Sequence, residues 1–210
     1  MPPTPPQDDA LALPPGHIVN NYRIMRVIGR GGFGITYAAQ DIHNSTELAI
    51  KELLPSSIAT RSDNYSVVAQ STSLQADFKW SIDSFIKEAQ TLTRFNHPNL
   101  VRLVEFFEQN GTAYMVMPYI KGDDLKTRVK QHGKLNEASA LKLAHVLLNA
   151  LETIHQAGVL HRDINPENII LQLPDDTPVL LDFGASRNLV AAKSQAVTSI
   201  ISPGYAPIEQ

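Results

Sequence analysis

The stretch HRDINPENII, residues 161 to 170, places an imidazole, a guanidinium, two carboxylates and two amides in one run that ends in two isoleucines. Strand-like runs lie close to it, from Ile169 to Gln172 and from Val179 to Leu181, with turn formers between them. Upstream, residues 137 to 156 put Ala140, Leu141, Ala144, Leu147, Leu148, Leu151, Ile154 and His155 on one wide apolar helical stripe, and Gly158 ends it. The polar loop therefore belongs to a helix-rich half of the chain.

A strand-rich half precedes it. From Tyr22, YRIMRVIG alternates, a glycine-rich turn follows, ITYAAQD resumes the extended pattern, and ELAIKEL makes a third run. Three short strands in succession imply an antiparallel sheet. Residues 55 to 76 are polar and rich in turn formers, an insert with a short hairpin expected around SVVAQ. Next, Phe78, Ile82, Phe85, Ile86, Ala89, Leu92 and Phe95 share a helical face, and His97-Pro98-Asn99 stops that helix, because a proline biases the residue before it away from helical angles. LVRLVEFFEQNGTAYMVMPYI reads as a hairpin turning at Asn110-Gly111. The expected organisation is α+β: a proline-rich solvated tail over 1–21, a strand-rich lobe over 22–117, a crossing at 118–122 and a helix-rich part over 123–210.

With 210 residues, 43% of them hydrophobic, the chain can bury a real core, which excludes disorder throughout. A net charge of −3 without a dense basic run lacks the electrostatic footprint of a nucleic-acid binder. The absence of cysteine excludes disulfides, thiolate metal sites and cysteine nucleophiles, and accords with a reducing cytoplasm. The N-terminal MPPTPPQDDALALPPG has no positive first region and only a short apolar island, Ala10 to Leu13, so it reads as neither signal peptide nor anchor. No other segment approaches the roughly 20 apolar residues of a membrane helix. The expectation is a cytoplasmic chain with no membrane segment and no nucleic-acid partner.

Gly29-Arg30-Gly31-Gly32-Phe33-Gly34 is a G-x-G-x-x-G between two strand patterns. In a dinucleotide fold the same string must join a strand to a helix. Here Ile35, Thr36 and Tyr37 follow, so a hairpin lid whose backbone N–H groups approach phosphate oxygens fits better. Lys51 ends the apolar run Leu48-Ala49-Ile50, and Glu88 lies on the sheet-facing stripe of its helix. A carboxylate there needs a cationic partner, for which Lys51 is the candidate.

Taken with Asp182-Phe183-Gly184, these segments appear in the order of the protein-kinase signature set. The chain resembles the bacterial eukaryotic-like serine/threonine protein kinases from about Tyr22 to Gln210. The resemblance implies a two-lobed kinase-like fold, its N-lobe an antiparallel sheet plus one helix and its C-lobe partly present and helical, with further helices expected beyond Gln210. It implies ATP and Mg2+ as cofactors and protein substrates as partners. Lys51 would hold the α- and β-phosphates, Glu88 would orient Lys51, and Asp163 would receive or orient the attacking hydroxyl. Asn168 and Asp182 would ligate magnesium. Adenine would lie among Ile28, Thr36, Ala49 and Ile170, with Met117 at the rear, backbone groups of Pro118 and Ile120 at its polar edge, and Gly29, Gly31 and Gly34 over the phosphates. Arg162 would meet a phosphate on the activation segment, for which Thr198 is the first candidate and Ser199 and Ser194 the next. His161, Leu92, Leu103 and Phe183 would form an apolar column.

Two features depart from the pattern. Asn165 stands where the serine/threonine members carry a lysine to the γ-phosphate, and neither Ile164, Pro166 nor Glu167 replaces that charge. With one neutral donor left there, a slowed enzyme is expected, and Asn165→Lys is expected to raise turnover. Near the end, Ala206-Pro207-Ile208-Glu209 displaces the proline of the family's Ala-Pro-Glu. The main alternative is a nucleotide-binding pseudokinase that transfers little or no phosphate. Intact Lys51, Asp163, Asn168 and Asp182 oppose it.

Overall fold

The computed structural model describes residues 11–181 and Tyr205. The chain divides into two compact units, with boundaries at Lys87/Glu88, Leu103/Val104 and Tyr119/Ile120.

In the first unit, β1 (Ile18–Val19), β2 (Tyr22–Gly31), β3 (Gly34–Asp41) and β4 (Glu47–Leu53) are joined by the hairpin strands β7 (Glu105–Gln109) and β8 (Thr112–Pro118). They form one antiparallel sheet in the order β1-β2-β3-β4-β8-β7. The expected turn at Asn110-Gly111 is present, with φ values of 53° and 69°. Two positive φ values in a two-residue loop match the right-handed twist of the flanking strands, and Asn-Gly tolerates both. The insert makes the expected small hairpin, β5 (Ala59–Arg61) with β6 (Val67–Ala69). The amphipathic helix α1 (Gln75–Leu92) follows; near its start Phe78 packs with Leu54, Ile58, Ala59 and Val67 in a small second core.

Alternation on the strands separates two faces. One carries Ile35, Tyr37, Ala39, Leu48, Ile50, Tyr114 and Val116, all buried in the main core. The other carries Thr36, Ala38, Ala49, Lys51, Met115 and Met117, which the register sets side by side: Thr36 opposite Lys51, Lys51 opposite Met115, and Ala49 between Ala38 and Met117.

The tail expectation over 1–21 needs correction for its described part. Leu13 is only 1% exposed within the main core, and Ile18–Val19 pairs with β2. The backbone N–H of Leu13 donates to Tyr37 Oη at 3.1 Å, and Arg61 Nε donates to the Leu11 carbonyl at 2.6 Å. The apolar island in an otherwise polar arm thus gains core burial, and its backbone polar groups find buried partners.

Under this segment lies a buried ionic cluster. Glu52, with no solvent exposure, accepts hydrogen bonds from Tyr37 Oη (2.8 Å), Tyr114 Oη (2.7 Å) and Arg61 Nη2 (2.5 Å). Burial, reinforced by the Glu52 charge, pushes both phenol pKa values well above the usual tyrosine range. Burial works against the Arg61 charge, but Glu52 more than offsets it and the guanidinium pKa is raised.

In the second unit, β9 (Gly122–Asp124), β10 (Ile169–Gln172) and β11 (Thr177–Leu180) form an antiparallel sheet in the order β11-β10-β9. The helix α2 (Leu125–His132) is capped by Asp124, whose carboxylate accepts from Thr127 N at 2.8 Å. The expected helix over 137 to 156 is α3 (Glu137–Gln156), capped by Asn136. Its stripe is only partly covered. Ala150 and Ile154 are buried, whereas Leu141 and Leu148 remain 64% exposed. The segment after α1 is tied to β11: Val101 N donates to Leu180 O, Leu180 N to Asn99 O, and Asn99 Nδ2 to Pro178 O, at 2.7 to 2.9 Å.

Candidate active site

The glycine-rich turn joins β2 to β3 as a hairpin. Its carbonyls are anchored from one side, Phe33 O by Leu54 N (2.9 Å) and Gly32 O by Ser56 N (3.0 Å). Two of the glycines have different causes. A Cβ on Gly34 would sit 2.0 Å from the Glu52 carbonyl oxygen, so close strand packing alone demands glycine there. A Cβ on Gly31 would meet nothing within 4 Å. Internal packing therefore does not explain Gly31. Gly29 stands opposite Thr36, and Thr36 opposite Lys51, so three of the expected nucleotide-binding positions form one row across three strands. Ala49 is opposite Met117, and Leu48 opposite Pro118. Ile28 is exposed on β2, Lys51 is half-buried, and Met117 is buried.

Glu88 and Ile120 belong to the second unit, Glu88 buried and Ile120 half-buried. The polar loop that follows α3 is built around Asp163, which is 7% exposed. His161 fixes the backbone here. Its Nε2 lies 2.8 Å from the Leu181 carbonyl, which can only accept, and its Nδ1 takes the Asp163 N–H at 3.3 Å, so the ring is held as the Nε2–H tautomer. The expected packing residue is buried, as an apolar column requires, and it is also a two-sided hydrogen-bonding post. Leu181 N donates to Asn168 O at 2.8 Å, which ties the residue before Asp182 to the same loop. Arg162, between His161 and Asp163, has a left-handed φ of 64°. Non-glycine residues hold such angles where the surroundings over-determine them, commonly at functional sites.

The Asp163 carboxylate is gripped on both oxygens. Asn168 Nδ2 donates to Oδ2 at 2.8 Å and to the Asp163 carbonyl at 2.8 Å, and Asn165 Nδ2 donates to Oδ1 at 3.1 Å. A 3-10 turn, Pro166–Asn168, follows directly, with Asn165 as its cap: Asn165 Oδ1 accepts from Glu167 N (2.9 Å) and Asn168 N (3.2 Å). Pro166 suits the first position of the turn, where an N–H would have no partner. Asn168 Nδ2 makes both of its contacts to Asp163, so a metal would be met by its amide oxygen, the donor type magnesium prefers. Ile170 is half-buried on β10, opposite Asp124. An exposed ion pair between Lys126 of α2 and Glu167 links the turn to that helix.

The structure thus brings Asp163, Asn165 and Asn168 into one hydrogen-bonded set and Gly29, Thr36 and Lys51 into one row. Asp182, Phe183, Thr198, Ser199 and Ser194 lie outside the described residues. Sequence reasoning missed the capping role of Asn165, although Asn before Pro at a turn start is a signal for it.

Residues 22–209 match the family model described as the protein kinase domain. Serine/threonine-protein kinase B of Synechocystis sp. is 34% identical over 201 residues, 90% of this chain and 32% of that protein. Serine/threonine-protein kinase PknA of Nostoc sp. is 32% identical over 199 residues, 91% of this chain and 33% of that protein. The chain therefore spans about a third of the length of these curated relatives. Among solved structures, the PpkA-294 apo form superposes with a TM-score of 0.88 at 42% identity, covering 95% of this chain and 71% of that one. With residues 22–209 matched by that family model and two serine/threonine-protein kinases above 30% identity over 90% or more of the chain, the chain belongs to the protein kinases.

Proposed function

We propose that this chain transfers the γ-phosphoryl group of ATP to serine and threonine hydroxyls of protein substrates, its own activation segment included. The observation that carries the reading is Asp163, a buried carboxylate whose two oxygens are each fixed by an amide donor. Phosphoryl transfer asks mainly for positioning and charge stabilisation, and a carboxylate held in one orientation is suited to receive or direct a hydroxyl proton. Gly31 leaves room for a phosphate against the backbone, while Lys51 and Glu88 take the roles that the family pattern gives them. Asn168 and Asp182 would hold magnesium, which when bound offsets the negative charge of the phosphates. Thr198, followed by Ser199 and Ser194, is the proposed phosphosite, with Arg162 as its cationic partner. Among the described residues no helix is long and apolar enough to cross a membrane, and we place the catalytic unit in the cytoplasm, where ATP is available.

Incubation with labelled ATP, magnesium and a generic acceptor protein tests this reading. Label is expected on the acceptor and on the chain itself, and neither Lys51→Met nor Asp163→Asn should yield it. Stabilisation by ATP with no label on any acceptor would instead mark a nucleotide-binding regulatory module.

A further inference from the structure

We propose that Asn165 is a positioning residue which sets the orientation of Asp163, so that this loop aims its acid with a neutral bifunctional side chain where the kinase pattern carries lysine. The proposal rests on the phosphoryl-transfer reading and assigns Asn165 a different task from contact with the γ-phosphate. Every polar atom of its amide is engaged. Oδ1 accepts the N–H groups of Glu167 and Asn168, and Nδ2 donates to Asp163 Oδ1 at 3.1 Å while lying 3.5 Å from the Asp163 carbonyl. The reverse amide orientation would set an NH2 against two N–H donors and an oxygen against a carboxylate, so the network admits one assignment. Asn165 is itself buried, as are Asp163 and Asn168.

The consequence is geometric. Asn168 holds Oδ2 and Asn165 holds Oδ1, and a carboxylate held by amides at both oxygens turns less readily than one held at Oδ2. Supporting hydrogen bonds of this kind keep a reacting group within a fraction of an ångström of its working position. Lysine keeps a donor for Asp163 but cannot cap the turn, because an ammonium has donors and no acceptor. In its place the N–H groups of Glu167 and Asn168 would lose their cap, and the turn that places Asn168 would loosen. The inference therefore reverses the expectation that Asn165→Lys raises turnover.

The experiment compares wild type with Asn165→Ser and Asn165→Lys in the full chain. Serine keeps a cap acceptor but has no donor long enough to reach Asp163. For Asn165→Ser we expect an unchanged melting temperature, an unchanged KM for ATP, and a kcat lower by about 10- to 100-fold, the scale of a misaimed catalytic group. Asn165→Lys should not exceed wild type. A serine variant with wild-type kcat, or a lysine variant that is faster than wild type, overturns the proposal. A second measurement decides it if a variant fails to fold or if the wild type transfers no phosphate, the latter being failure of the kinase reading. In wild type, the Asn165 side-chain amide resonances should move on Asp163→Ala; unmoved resonances also overturn the proposal.

Discussion

Arg61 Nη2 lies 2.5 Å from Glu52 Oε2, with both side chains shielded from solvent. Arg61 comes from the insert and Glu52 from β4, next to Lys51 in sequence. The pair joins the insert, the N-terminal segment and the sheet through Arg61 contacts to the carbonyls of Leu11 and Tyr65. Removing one partner strands a buried charge. Arg61→Leu and Glu52→Leu are each expected to cost about 3–5 kcal/mol, and the double variant much less than their sum. Denaturant unfolding of the four proteins checks this; additive losses would contradict it.

The two phenols on Glu52 predict an alkaline limit to stability. Their pKa values are raised by burial above the ordinary 10.0. The unfolded chain therefore loses these protons first, and the folded chain holds more protons in the alkaline range. Stability from these groups is complete below pH 10 and falls as pH rises from there towards the folded-state values. Unfolding midpoints from pH 8 to pH 11 should fall at the alkaline end for wild type, and Tyr37→Phe should flatten that fall.

Leu13 is a core residue despite its proline-rich surroundings. Leu13→Ala should destabilise by about 2–5 kcal/mol through the cavity it leaves, whereas Ile18→Ala, at an exposed site, should fall within about 0.5 kcal/mol of wild type. Thermal melts of both decide it; equal effects would return Leu13 to the solvated arm.

Gly31 and Gly34 should separate binding from folding. Gly34→Ala forces a Cβ into the Glu52 carbonyl and should lower the melting temperature, while Gly31→Ala enters open space. Gly31→Ala is expected to melt like wild type with a raised KM for ATP. Steady-state kinetics beside a melting curve distinguishes the two.

Much of this was legible in the chain. Asn110-Gly111, the alternating runs of β2 to β4 and the helical spacing of α1 rest on local physics, and the structure has them where that physics put them. The kinase motifs were legible as an ordered set. What escaped depends on long-range pairing. Leu13 joins a core built from distant strands, its N–H received by Tyr37, 24 positions away, while Arg61 holds the carbonyl of Leu11, 50 positions away. Glu52 gave one unused hint, a carboxylate in phase with Leu48 and Ile50 on a buried face. The stripe on α3 set helix position correctly but not cover: amphipathicity states which residues can be buried, and partners decide which are. Asn165 was judged by the charge it lacks, whereas its acceptor oxygen is what the local turn uses.

The most direct measurement is the rate of phosphoryl transfer by Asp163→Asn beside its affinity for ATP. Loss of a positioned acid-base group should lower transfer by about 100- to 10,000-fold and leave nucleotide affinity unchanged. Transfer at the wild-type rate by Asp163→Asn would contradict the assignment of this gripped carboxylate as the group that receives the substrate hydroxyl.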